Sequence, residues 1–357
     1  MILGAPQVPR GLVGGANDPQ TWWTSPFQAP ALYGACLRDV LCFGGLPDGA
    51  HSSGHMLLAD GRFIVPDSYF LRNTVRSLPA DLLAVVGAPE DGRFRLQVDT
   101  ARIATSPGLH YFAGAAFGHF GHFLLEGLSR WWLLALLPES VRGELRFVLY
   151  DKQPLHAWQL ELLECLGVAT ERIVYLSEPL RCERMIVPAA AYHLHRGASL
   201  AQCETWERIG RAFDRGTGPA RVYLSRSRYA HKRTLLNEVE VERAFQTRGF
   251  VVLHPQELPI AEQVAAVRHA RLIAGSAGSA MYLSAFARRG TRKLIVSPRN
   301  FAFRDDQLIS YLCGGQLAYI LCPQEADEGH PRDTDYRIAP DILEAALEHW
   351  PQRLGRD

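Results

Sequence analysis

Residues 221–321 alternate between short apolar runs and amphipathic segments, and this alternation limits the fold more than any other feature of the chain. Strands are expected at 221–225, 250–253, 271–274, 293–297 and 317–321, with helices at 236–247, 260–270, 279–287 and 304–312. Short apolar strands separated by single helices build a parallel sheet, because a parallel pair needs a crossover long enough to hold a helix. The same grammar continues upstream in weaker form. Strands are expected at 145–150, 172–176 and 184–188, and helices at 155–166 and 199–214. Met56–Val65 reads as a hairpin around Asp60-Gly61, and Phe94–Ile103 as a further strand. Residues 1–50, rich in Gly and Pro, read as an irregular arm. The expected fold is therefore α/β, with two Rossmann-like lobes facing a cleft and ligands beyond the carboxyl ends of the strands. An N-terminal lobe is expected over 1–198 and a C-terminal lobe over 199–339. A terminal helix over 340–357 is expected to dock back on the body.

A chain of 357 residues, 47% hydrophobic and 21% charged, can bury the cores of such an architecture. Its net charge of +1 sets up no global field for a polyanion, so nucleic acid is not an expected partner. Lys152, Lys232 and Lys293 are the only lysines among 38 basic residues. The rest are arginines, whose planar forks suit bidentate phosphate contact. The seven cysteines are scattered without a Cys-x-x-Cys pair and read as buried thiols of a reducing compartment. No secretion signal is recognised. The apolar cluster at 131–138 is far shorter than the ~20 residues of a membrane span. A cytoplasmic location is expected, with room for peripheral contact at the inner face of a membrane.

Three segments carry candidate chemistry. The first is Phe117–Trp132, which reads as one helix continuing to Leu137. At ~100° per residue, His119, His122, Glu126 and Arg130 share one stripe, and Phe120, Leu124, Leu128 and Trp131 another arc. A surface helix with i,i+4 ion pairs would look similar. The apolar surroundings and the glycines at 114, 118 and 121 favour a cleft. His122 and Glu126 are then a proton-transfer pair, with His119 and Arg130 as cleft residues. The second segment, Val222–Arg233, runs from a strand into a basic loop. Arg226, Arg228, Lys232 and Arg233 lie where a diphosphate would bind, a solvated loop being the plainer alternative. Asn237-Glu238 follow and read as a helix cap. The third is the turn Gly275-Ser276-Ala277-Gly278-Ser279, whose backbone N–H groups at a helix start can hold an anion. It is neither a Gly-x-Gly-x-x-Gly fingerprint nor a P-loop.

Taken in order, His122 with Glu126, Tyr223-Leu-Ser-Arg226, Asn237-Glu238, Phe250-Val-Val with Pro255 and Glu257-Leu, and Gly275-x-x-Gly-Ser279 resemble glycosyltransferase family 61. The resemblance covers roughly residues 105–325. It implies a GT-B architecture and inverting, metal-independent transfer of a hexosyl or pentosyl group from a nucleotide sugar, expected to be UDP-linked. The implied acceptor is a glycan or lipid-linked glycan, and the implied setting is bacterial capsule or other surface polysaccharide biosynthesis. Donor contacts would fall on Arg226 and the 275–279 turn, and catalysis on the His122/Glu126 helix. No cofactor beyond the donor substrate is expected, and no metal. The one Asp-x-Asp, Asp333-Thr-Asp335, stands in a polar turn, and Asp305-Asp306 reads as an acidic helix start. Many relatives carry a histidine in the small-residue turn where this chain has Ala277. The competing expectation is therefore an inert sugar-nucleotide-binding partner protein. A hydrolase built on a His–Glu pair is a third reading, and the lack of a Gly-x-Ser-x-Gly elbow speaks against it.

Overall fold

A computed structural model describes residues 29–46, 54–59, 63–65, 68, 83–90, 93–98, 100–115, 117–150, 154–176, 178–229, 233–299, 301–323 and 334–353. The chain divides into two units between Ala191 and Tyr192, a few residues ahead of the boundary expected at 198/199.

The strands described in the unit 31–191 are β1 (Gly34–Leu46), β2 (Gly54–Ala59), β3 (Phe63–Ile64), β4 (Leu83–Glu90), β5 (Arg93–Val98), β6 (Ala104–Ala115), β7 (Arg146–Tyr150), β8 (Ile173–Tyr175) and β9 (Leu180–Pro188). Seven of them form one sheet in the order β3-β2-β1-β9-β6-β7-β8, and β4 pairs with β5 separately. Only the β9-β6-β7-β8 half is parallel, while β1 runs antiparallel to both β2 and β9. The mostly parallel sheet expected for this lobe is thus a mixed one. Two strands of it were not expected, and β1, not the parallel β6, is the one that makes it mixed. β1 lies within the supposed irregular arm, and β6 carries Gly108 and Gly114 at positive φ where its register slips. A bulge breaks the period-2 alternation by which a strand is recognised. The second strand expected at 94–103 ends as β5 at Val98, and Thr100–Arg102 form a 3₁₀ turn. Val40, Cys42, Phe112, Val148, Tyr150 and Met185 fill one core of this unit.

Helices α1 (Phe120–His122), α2 (Glu139–Arg142) and α3 (Ala157–Glu164) complete the unit. The continuous helix expected over 117–137 does not form. A single α turn widens into a π turn, Phe123–Gly127, and a 3₁₀ segment follows at Trp131–Leu136. Side chains take the carbonyls that a longer helix would use: Ser129 Oγ donates to Glu126 O at 2.6 Å and Trp131 Nε1 to Gly127 O at 3.0 Å. Trp131 then stacks on Tyr111 and tilts against Phe147.

The unit from Tyr192 onward follows the sequence reading closely. Its strands are β10 (Tyr192–His193), β11 (Gly197–Ala198), β12 (Arg221–Leu224), β13 (Val251–Leu253), β14 (Leu272–Ser276), β15 (Arg292–Pro298) and β16 (Gln316–Cys322). Its helices are α4 (Leu200–Ala212), α5 (Glu238–Gln246), α6 (Ile260–Arg268), α7 (Arg304–Leu312) and α8 (Pro340–Arg353). The helix expected at 279–287 is a 3₁₀ segment, Ser279–Phe286. Strands β12 to β16 form a parallel sheet in the order β13-β12-β14-β15-β16. One sheet face buries Tyr223, Ala274, Leu294, Val296 and Ile320 under Val241 and Phe245 of α5 and Leu343, Leu347 and Trp350 of α8. α4, α6, α7 and the 3₁₀ segment pack together as a second layer. A buried Lys293 Nζ meets Asp306 Oδ1 at 3.3 Å, tying β15 to α7. None of the described helices is long and apolar enough to cross a membrane.

Candidate functional site

In the sheet of the second unit, β12 lies between β13 and β14, so the chain leaves β12 to one side first and to the other side later. Loops after the strands on either side of such a reversal part and leave a crevice at the carboxyl edge. Here those loops hold Ser225–Tyr229 after β12 and Ala277–Ser279 after β14. Arg226 bridges them, with Nη1 donating to Ala277 O at 3.3 Å. A β-carbon added at Gly278 would collide with the same guanidinium, and the glycine itself sits at φ +158°. The guanidinium also lies 5.4 Å from the ring centroid of Tyr229.

Glu238 forms the floor. It is 3% exposed, and its Oε1 accepts from Arg226 N at 2.9 Å, from Tyr223 OH at 3.2 Å and from Ser276 Oγ. One carboxylate oxygen thus joins the end of β12, the end of β14 and the start of α5. Burial pushes the Glu238 carboxyl above the usual carboxylate range, opposed by these three hydrogen bonds. Its Oε2 makes no hydrogen bond among the described residues. One turn along α5, Glu242 Oε1 accepts from Ser225 Oγ and Ser227 Oγ, fixing the loop that carries Arg226.

The structure separates the residues expected in this site. Arg226 and the 275–279 turn come together. Arg228 instead pairs with Glu257 at 2.7 Å, with both side chains largely in solvent, where an ion pair contributes little. Arg233 lies with its guanidinium 3.5 Å from the Phe301 ring centroid. Lys232 lies outside the described residues. Within the turn, Gly275 is required by packing, since a β-carbon there would stand 2.5 Å from Leu224 O and 2.7 Å from Met281 Sδ. Ser276 Oγ is engaged by Glu238, and Ala277 N donates to Val296 O at 2.9 Å. Gly278 and Ser279 open the 3₁₀ segment, the position where N–H groups lack partners inside the helix.

Asn237 does not cap α5. Its side chain bonds Ile338 through both N–H and C=O. Glu238 was concealed as part of a helix cap, and Glu242 as an ordinary acid one turn further along α5. Their i,i+4 spacing at the head of the helix that follows the basic loop is the signal that points to them.

In the first unit, His122 Nδ1 and Glu126 Oε2 are 2.6 Å apart, with side chains 38% and 21% exposed. Phe117 stacks on the His122 ring and His119 meets it edge-on at 5.1 Å. His119 precedes α1 as its cap, its Nδ1 accepting from His122 N. Glu126 sits on the π turn, a deformation frequent at functional sites. Arg130 does not share the stripe. The broken helix turns it inward, where it is 7% exposed, donates to Pro188 O and lies over Phe112. The expected His119–His122–Glu126–Arg130 row is therefore a His119–His122–Glu126 cluster, with Arg130 a core residue.

Both sites, His119 apart, lie inside one region of similarity. Residues 120–294 match the family model described as Glycosyltransferase 61. The match spans a little under half of the chain, opening just ahead of His122 and closing within β15. No curated protein matches the chain. Among the described residues no group of three or more His, Cys, Asp and Glu is placed to hold a metal ion. Asp333 lies outside the described residues, and Asp335 Oδ1 accepts from Thr234 N at 2.7 Å.

The Glu238 floor generates a pH-dependent prediction. A carboxyl whose pKa rises on folding favours the folded state at low pH, and that contribution is lost as pH climbs through the folded value. Glu238→Gln keeps an acceptor for the three donors and removes the ionisation. Its stability in urea melts should fall less than wild type's as pH rises above the usual carboxylate range. Glu238→Ala strands three donors and should be less stable than Glu238→Gln at every pH, by at least ~1–3 kcal/mol. Parallel pH dependences for wild type and Glu238→Gln would show that the carboxyl does not titrate in the folded protein as inferred.

Proposed function

We propose that the protein is an inverting glycosyltransferase that moves a sugar from a nucleotide donor, expected to be UDP-linked, to a hydroxyl of a glycan or lipid-linked glycan. The observation that carries this reading is Arg226, anchored by Glu238 and Glu242 across the strand-order reversal, within a region that matches Glycosyltransferase 61. On this reading Arg226 and the peptide groups at 278–279 bind the donor diphosphate. Glu126 takes the proton of the acceptor hydroxyl, and His122, in contact with its carboxylate, orients it. The acceptor oxygen displaces the diphosphate at the anomeric carbon and inverts its configuration. The leaving charge is met by the guanidinium and peptide dipoles without a metal. In support, the acidic residues Asp305 and Asp306 are committed elsewhere, to Tyr192 and His195 and to Lys293 and Tyr319 respectively. Surface polysaccharide synthesis at the cytoplasmic side of a bacterial membrane is the setting proposed. A second reading, an inert sugar-nucleotide-binding partner, rests on Ala277, a buried methyl where many relatives of the resembled family carry histidine.

Three measurements test the reading. Arg226→Ala should weaken UDP binding in calorimetry several-fold to a hundredfold, as expected for charged hydrogen bonds of ~1.5–3 kcal/mol. Unchanged affinity in a folded variant removes Arg226 from the site. Glu126→Gln and His122→Ala should each lower kcat by at least ~100-fold, with UDP affinity unchanged. Their double variant should be little worse than the poorer single, because groups acting as a unit are non-additive. Binding of donor without turnover by wild type over a broad acceptor panel selects the inert reading instead. Turnover should also survive excess EDTA, and loss restored by Mn²⁺ would refute metal independence.

A further inference from the structure

The loop that follows β15 holds a second polar group on the donor unit. Asp305, in the first turn of α7, is fully buried. Its Oδ1 accepts from Tyr192 OH at 2.8 Å and His195 N at 2.9 Å, and its Oδ2 pairs with His195 Nδ1. His195 stands in the β10–β11 turn with its side chain 47% exposed, and its ring stacks on Phe303 at 5.4 Å and 16°. Phe303 packs edge-on against Phe301, the ring that carries Arg233. Arg233, Phe301, Phe303, His195 and Asp305 therefore form a continuous row.

That row begins where β15 ends. Because β12, β14 and β15 are parallel neighbours, this is the same sheet edge that carries Arg226 and the 277–279 turn. The backbone adds an independent sign. Among the described residues Asp39, His195 and Arg233 are the non-glycines at positive φ, and two of these three flank the Phe301/Phe303 loop. Left-handed backbone costs an ordinary L-residue roughly 1–2 kcal/mol, and glycine or asparagine would fill a simple turn better. Anchoring the hairpin needs only the His195 N–H and Tyr192. The imidazole is placed by the stacked Phe303 and by the buried Oδ2, which makes no hydrogen bond among the described residues but lies against His195 Nδ1.

We propose that His195 is a ligand-binding residue of the donor site and that its Nε2 accepts a hydrogen bond from a hydroxyl of the donor, on the ribose or on the transferred sugar. With the ring proton on Nδ1, facing Asp305, Nε2 acts as an acceptor, which suits a hydroxyl partner. Asp305 is the positioning residue. The inference rests on the donor reading given above for this unit.

The test uses the full chain with UDP, UDP-glucose, UDP-N-acetylglucosamine and UDP-xylose as probes. His195→Asn suits the left-handed backbone and removes Nε2, with His195→Gln as a second variant should the first misfold. Either should raise Kd roughly threefold to tenfold for the probes that wild type binds, the loss of one neutral hydrogen bond. An equal loss for UDP and its sugars places the contact on the ribose. A loss confined to the sugars places it on the transferred group. Unchanged affinity for every bound probe overturns the assignment, and the donor reading survives if Arg226→Ala still weakens UDP. Wild type that binds no probe overturns the donor reading and this assignment with it. Nitrogen-15 spectra of the His195 ring supply the readout for Asp305. Nε2 should be unprotonated in wild type, and Asp305→Asn should move the proton onto it. A wild-type ring protonated at Nε2 refutes the acceptor role.

Discussion

A single buried oxygen, Oε1 of Glu238, holds the carboxyl edge of the second unit's parallel sheet in one arrangement. It takes the N–H of Arg226 and the hydroxyls of Tyr223 and Ser276, so the first strand of the sheet, the strand across the reversal and the start of α5 share one acceptor. A buried polar group is tolerated only when such partners are present. Burial pushes its carboxyl above the usual carboxylate range, and the three hydrogen bonds oppose that shift. The arginine loop, the small-residue turn and the helix that covers the sheet all meet at this atom. Ser225, Arg226 and Ser227 of the basic loop are tied to α5 through Glu238 and Glu242.

The two units differ in how far their sequence announces them, and the reason is local. Strands β12 and β14 to β16 are short, apolar and separated by helices or helical segments, which is how a parallel sheet buried on both faces reads. In the other unit, β1 follows a Gly- and Pro-rich stretch, and β6 is interrupted by Gly108 and Gly114. Alternation is lost where the register slips. The 117–137 segment has helical periodicity, yet Ser129 and Trp131 divert its carbonyls and the periodic stripe breaks at Arg130.

The candidate sites follow the same rule. His122 with Glu126, and Arg226 with the 275–279 turn, were legible because their spacing acts locally or at known ends of strands. Arg228 was indistinguishable from Arg226 by type and position, and its pairing with Glu257 depends on a contact between loops that spacing does not reveal. Glu238 and Asp305 were hidden for the opposite reason. Acidic residues in the first turn of a helix have an ordinary explanation in the helix dipole. Both are buried and bonded to groups far away in sequence, which only the tertiary fold brings near.

Gly278 gives the arginine loop a property of a different kind. The volume that a β-carbon would fill is occupied by the guanidinium of Arg226, so the two positions compete for one place. A side chain at 278 would displace the guanidinium tip from Ala277 O, and a shorter residue at 226 would remove that donor. The glycine at 278 thus sets how closely the guanidinium can approach the turn.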